Sequence, residues 1–163
     1  MIKDLNFKLT NDQEAAIKII NQDLKSKSRM FRLLQGDVGS GKTIVSMIAA
    51  VNSINAGYQT SFMVPTEILA KQHFSFAKKY LPKNIKIEIL TGKSKYADRK
   101  KILENLKLGK IDLLIGTHAL FQKKVEYNKL GLIIIDEQHK FGVRQRKELS
   151  EKGGNNCDVL VMS

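Results

Sequence analysis

An α/β fold, a mostly parallel sheet with helices on both faces, is what this sequence predicts. Three observations carry that expectation. Short apolar runs alternate with amphipathic stretches along the whole chain. Several of the runs are near-continuous Ile, Leu and Val, as strands buried on both faces must be. The length, 163 residues, suits one domain with a sizeable core.

The elements follow in order. A first helix is expected over 11–24, where Ala16, Ile20 and Leu24 share one face. Thr10 and Gln13 have the spacing of a capping box at its start. A strand over 31–35 leads into a Gly-rich segment and a helix over 42–55, with Gly57 placed to close it. The strand over 59–64 ends at Pro65, and the helix over 67–80, with Thr66 as its cap, ends before Pro82; both prolines stand where a missing N–H is tolerated. Strands at 85–90 and 111–115 flank a helix over 95–106. A strand at 132–135 precedes a helix over 138–150, and the turn Gly153-Gly154-Asn155-Asn156 precedes a last strand at 158–162. Repeats, linkers and low-complexity stretches are absent from the sequence. It stops at Ser163, directly after that strand, so we expect a domain excised from a longer protein.

Composition narrows the function classes. No apolar run approaches the roughly 18 residues of a membrane-spanning helix, and the start lacks a signal-peptide core. Cys157 is the single cysteine, so neither an internal disulfide nor a cysteine metal site is available, and a cytoplasmic protein is the default. Cys157 itself reads as a small buried apolar residue. With 28 basic against 16 acidic residues the net charge is +12, which suits a polyanionic partner. The 23 lysines against 5 arginines equally suit a compositional bias, so charge alone does not decide for nucleic acid.

Gly36-Asp37-Val38-Gly39-Ser40-Gly41-Lys42-Thr43 matches G-x-x-x-x-G-K-[ST] in full, between a predicted strand and a predicted helix. Glycines let successive N–H groups turn toward phosphate oxygens, and the helix presents its positive end to the same anion. Lys42 is expected to reach the β- and γ-phosphates and the Thr43 hydroxyl to ligate Mg²⁺. Leu132-Ile133-Ile134-Ile135-Asp136-Glu137 is an apolar strand ending in two carboxylates. In a parallel sheet that end faces the ligand crevice. Asp136 is expected to hold Mg²⁺ and Glu137 to orient or deprotonate the attacking water. Without the phosphate loop, the pair reads equally as an acidic turn at a helix start.

Asp136-Glu137-Gln138-His139 resembles the DExH box of superfamily 2 helicases, and the chain as a whole resembles the RecG-like branch of that superfamily. The segment from Gln35 to Thr43 is similar to its motif I. Pro65-Thr66-Glu67-Ile68-Leu69-Ala70-Lys71-Gln72-His73 is similar to motif Ia, Leu90-Thr91-Gly92 to Ib, and Gly116-Thr117-His118-Ala119-Leu120 to the next DNA-side motif. Phe141-Gly142-Val143-Arg144-Gln145-Arg146 continues the likeness beyond motif II. Transcription-repair coupling translocases are the nearest competitor; Ser40, Glu67-Ile68 and Gln138 lean away from them.

The resemblance implies a RecA-like P-loop NTPase fold over 1–163, ATP and Mg²⁺ as cofactors, and DNA, branched duplex above all, as partner. It implies a catalytic set of Lys42, Asp136, Glu137 and Gln138. The ATP contacts implied are Gln13, Gly36, Asp37, Val38, Gly39, Ser40, Gly41, Lys42 and Thr43, and the DNA contacts Pro65, Thr66, Glu67, Gly92, Thr117 and His118. RecG-like enzymes also carry a wedge domain and a second RecA-like domain with an arginine finger, none of it in this sequence. The finger contributes about 10³ to 10⁵ in rate, so weak or negligible hydrolysis is expected of this piece alone.

Several residues carry two readings. Gln13 serves as capping residue or as reader of adenine, and Phe7 packs in the core or on the base. Thr117 is a helix cap or a phosphate contact, and His118 serves packing or DNA. Gln138 and His139 couple to a partner domain or bond locally. His73 reads as a polar or partly buried helix residue. Lys93, Lys95, Arg99, Lys100 and Lys101 read as a mostly solvated helix face. Arg144 and Arg146 read as solvated or as contacting DNA. Two other functions stay open: a different P-loop enzyme and a non-catalytic nucleotide- or DNA-binding module. A GTPase should show Asn-Lys-x-Asp, but Asn128-Lys129-Leu130-Gly131 lacks the aspartate.

Overall fold

The computed structural model describes residues 8–36, 41–137, 147, 151 and 157–163. Among the described residues six strands form one sheet: β1 (Phe31–Leu34), β2 (Gln59–Met63), β3 (Ile87–Leu90), β4 (Leu113–Gly116), β5 (Leu130–Ile135) and β6 (Asp158–Met162). Their order across the sheet is β1-β6-β5-β2-β4-β3, and every pairing is parallel. Helices among the described residues include α1 (Asn11–Lys25), α2 (Lys42–Asn55), α3 (Glu67–Tyr80) and α4 (Tyr96–Lys107), with a 3₁₀ turn at His118–Phe121.

The strands' apolar character has the expected cause. All residues of β2, β4 and β5 are buried. Alternate residues feed two cores. Phe62, Leu113, Ile115, Leu132, Ile134 and Leu160 pack under α1, α2 and α3. Met63, Leu114, Ile133, Ile135, Val159 and Val161 pack on the other face, with Leu106 and Leu120. Connections running from β1 toward β3 (through α2 and α3) cross one face. The return from β3 through α4 crosses the other, as right-handed crossovers require. β1 and β5 therefore send their chains off in opposite directions, and a crevice is expected at their carboxyl ends.

The sequence-predicted caps hold. Thr10 and Gln13 form a reciprocal capping box. Thr66 accepts from the Leu69 N–H at 3.2 Å, and Gly57, at φ 95°, follows the end of α2. Ala16, Ile20 and Leu24 pack against the core together. Two strands start later than expected, at Ile87 and Leu113. Ile85 and Ile111 are apolar because they are buried in the core, not because they pair. Asp112 accepts from the Lys86 amide there, at 2.9 Å. β5 starts earlier, at Leu130, because it pairs with Gln59 across an irregularity in register. The helix expected over 138–150 lies largely outside the described residues, as does the turn at 153–156.

Candidate nucleotide site and nucleic-acid edge

Because every strand runs the same way, the segments that follow them emerge at one edge of the sheet. Gly36 follows β1, Pro65 and Thr66 follow β2, and Thr91 and Gly92 follow β3. Thr117 follows β4, Asp136 and Glu137 follow β5, and Ser163 follows β6.

At the first of these ends, α2 begins with its positive terminus uncompensated among the described residues. Gly41 is its N-cap at φ 80°, no side chain caps it, and its first turn holds no acidic residue. First-turn N–H groups left this way suit an anion. Lys42 starts the helix, and its Nζ donates to the main-chain oxygens of Gly36 and Ser163, each at 2.7 Å. The ammonium is thus held between the ends of β1 and β6, where phosphate oxygens would replace two main-chain acceptors. Gln13 reaches the same place from α1: a Cβ on Gly41 would overlap its side-chain amide. Its Oε1 meanwhile accepts from the Thr10 N–H at 2.9 Å. One end of the amide thus caps α1 while the other lies against Gly41.

Asp136 is fixed at its backbone, where its N–H donates to the Met63 carbonyl at 2.8 Å. Its Oδ2 lies 3.0 Å from Nε2 of His73. Glu137 sits at φ 56°, the one non-glycine residue with positive φ among those described. For such a residue that conformation is uncommon and marks a constrained site. No group of three or more His, Cys, Asp or Glu able to cage a metal occurs among the described residues. One hydroxyl and one carboxylate nonetheless fit Mg²⁺, which keeps waters and substrate phosphates in most positions.

Farther along the edge, Thr66 caps α3, and Glu67 lies 3.4 Å from Lys71 and 3.6 Å from Lys93. That pair brings the segments after β2 and β3 together. Gly92 is exposed in a loop closed by side chains: Ser94 accepts from the Thr91 N–H at 3.0 Å and Thr91 from the Lys93 N–H at 3.3 Å. Arg99 fastens the same loop, donating to the Thr91 carbonyl at 2.7 Å and to Gln122 Oε1 at 2.8 Å. Arg99 is thus engaged, whereas Lys93, Lys95, Lys100 and Lys101 are exposed as expected. Thr117 is buried and makes no side-chain cap, while His118 is exposed.

Asp37, Val38, Gly39, Ser40 and Gln138 lie outside the described residues, as do Phe7, His139, Arg144 and Arg146. His73 and Arg99 are what sequence reasoning missed. For His73 a signal existed: Ala70, His73 and Ala77 are the buried residues of α3, a spacing that turns the imidazole inward. A cleft of about 510 Å³ opens near the C-terminal ends of α1 and α2, lined by Arg29, Asn52, Tyr58 and Asp158 among others; no predicted site residue lines it. Cys157 is buried, and burial pushes its thiol up to about 12.

A family model described as DEAD/DEAH box helicase matches residues 10–163. The chain belongs to that family. Within the DEAD/DEAH box helicases it is similar to the ATP-dependent DNA helicase RecG of Streptococcus pneumoniae. The two are 55% identical over 159 residues, covering 98% of this chain and 23% of the relative. It is 51% identical to RecG of Bacillus subtilis over 163 residues, covering 99% of this chain and 24% of that one. The chain therefore spans about a quarter of the length of these relatives. A RecG bound to a three-way DNA junction superposes with a TM-score of 0.88 at 47% identity, over 99% of this chain and 22% of that one. The helicase Mss116p, bound to single-stranded RNA and AMP-PNP, has a TM-score of 0.78 at 21% identity, over 99% and 36%, and shares the fold. The RecA-like architecture expected from the sequence is the one found. No helix among the described residues is long and apolar enough to cross a membrane.

Proposed function

We propose that residues 1–163 are the first RecA-like motor domain of a cytoplasmic ATP-dependent DNA helicase that remodels branched DNA. A second RecA-like domain and a wedge domain would complete the enzyme. The observation that carries the reading is the gathering of Gly41, Lys42, Asp136 and Glu137 at strand ends on one sheet edge. Similarity to RecG helicases over nearly the whole chain supports the choice of substrate.

In this reading the open first turn of α2 and the phosphate loop receive the ATP phosphates. Lys42 exchanges its two main-chain acceptors for phosphate oxygens, and Gln13 meets the adenine side. The Thr43 hydroxyl and the second oxygen of Asp136 would hold Mg²⁺, which neutralises charge on the transferred phosphoryl group. Glu137, constrained by its backbone, orients and deprotonates the attacking water. Pro65, Thr66, Glu67, Gly92, Thr117 and His118 line the DNA side, with α3's N-terminal N–H groups suited to backbone phosphate.

The test is ATP hydrolysis by the intact protein with and without branched DNA. Lys42→Ala and Glu137→Gln should each abolish DNA-dependent turnover. Wild-type turnover in either variant would overturn the site assignment.

A further inference from the structure

We propose that His73 is a positioning residue that orients the Asp136 carboxylate toward Mg²⁺-bound nucleotide. The inference rests on the nucleotide reading above and assigns a role to a residue outside the predicted site.

Three features of the contact carry it. First, the chemistry fixes its direction. An ionised carboxylate only accepts, so His73 Nε2 bears the proton and donates to Asp136 Oδ2 across 3.0 Å. One carboxylate oxygen is thereby occupied and the other is directed elsewhere. Second, both ends of the contact are held. The imidazole is buried and lies against the Phe62 ring, with centroids 4.8 Å apart. Asp136 is anchored by its own amide on Met63. What remains loose in an aspartate is its side chain, with staggered wells at the first torsion and a broad two-fold second one. A donor on one oxygen settles the carboxylate plane. Third, the contact is sheltered, with the two side chains 9% and 16% exposed, so water competes poorly for it.

A bland reading must be separated from this one: a core histidine that has found a hydrogen bond. Loss of such a residue would lower stability and weaken all nucleotide binding alike. A positioning residue would affect only the part of binding that depends on the metal. Outer-shell partners of metal ligands typically cost about 10- to 100-fold in metal affinity when removed.

The experiment titrates a fluorescent ATP analogue onto the intact protein, once in Mg²⁺ and once in EDTA, with thermal melting alongside. His73→Leu keeps apolar packing on Phe62 and removes the donor. It should weaken binding about tenfold or more in Mg²⁺ and leave binding in EDTA unchanged. His73→Gln, whose amide reaches and donates similarly, should stay within about threefold of wild type. Asp136→Asn marks the full metal-dependent part. Equal losses with and without Mg²⁺, no loss in His73→Leu, or no recovery in His73→Gln would each overturn the proposal while the nucleotide reading stands. A wild-type protein whose binding ignores Mg²⁺ would overturn both.

Discussion

Replacing Gln59 by methionine should be among the most damaging single changes available outside the site. Gln59 opens β2 and is 5% exposed. Its Nε2 donates to the carbonyls of Leu106 and Ile111 at 2.9 and 2.8 Å, and its Oε1 accepts from the Lys129 amide at 2.9 Å. One side chain thus joins the end of α4, the approach to β4 and the approach to β5. Methionine fills a similar volume and satisfies none of them. Each buried group left without a partner costs about 1–3 kcal/mol. The Leu106 carbonyl keeps the Gly109 N–H at 3.1 Å, so two groups, one of them only partly buried, lose their partner, a loss of about 2–5 kcal/mol out of the 5–15 kcal/mol typical of a domain. The urea midpoint reports the loss, and amide exchange at Lys129 reports its location. A loss below about 1 kcal/mol would show that water or repacking replaces these bonds, and the reasoning would fail.

Three further outcomes are expected. Gly41→Ala combines a left-handed backbone, costing about 1–2 kcal/mol, with displacement of the Gln13 amide. Nucleotide affinity should fall several-fold, and adding Gln13→Ala should cost less than the sum of the two. Arg99→Lys cannot reach both Thr91 and Gln122. Affinity for branched DNA, read by fluorescence anisotropy, should drop several-fold with the melting temperature nearly unchanged. Cys157 holds its proton in the folded state up to about 12, against 9.0 for the free thiol. Its contribution to stability is complete below pH 9 and is lost as pH rises toward 12. Cys157→Ala should flatten the alkaline decline without abolishing it, because burial raises Tyr127 as well.

Much of the fold was legible because buried parallel strands cannot be disguised: β2, β4 and β5 have no solvent face to encode. Caps were legible for the same local reason, since Thr10, Gln13 and Thr66 act within three residues of themselves. Strand starts were less legible. Ile85 and Ile111 satisfy a hydrophobic pattern whether they pair or merely pack. The candidate nucleotide side rests on G-x-x-x-x-G-K-[ST] and the Asp-Glu pair, whose spacing is local. His73 and Arg99 were not legible, because their partners, Asp136 and Gln122, lie 63 and 23 positions away.

The long-range contacts also decide how the two halves of the edge can influence each other. Glu67 and Lys93 join two DNA-side segments, but Lys93 is 84% exposed and the pair is worth at most about 1 kcal/mol. Such a contact breaks and reforms without consequence elsewhere. The His73–Asp136 contact differs in kind, being sheltered and directional. Both contacts start from α3, whose first residue is Glu67 and whose seventh is His73, about 9 Å along the axis. A helix transmits displacement along its length because its own hydrogen bonds resist deformation. On the proposed reading, a shift of α3 on engaging DNA at Thr66 would be felt at the Asp136 carboxylate. By reciprocity, ordering that carboxylate would then bias the proposed DNA end. If the proposed nucleotide and DNA sites are right, the buried face of α3, rather than the exposed lysines, is the element placed to make their binding interdependent.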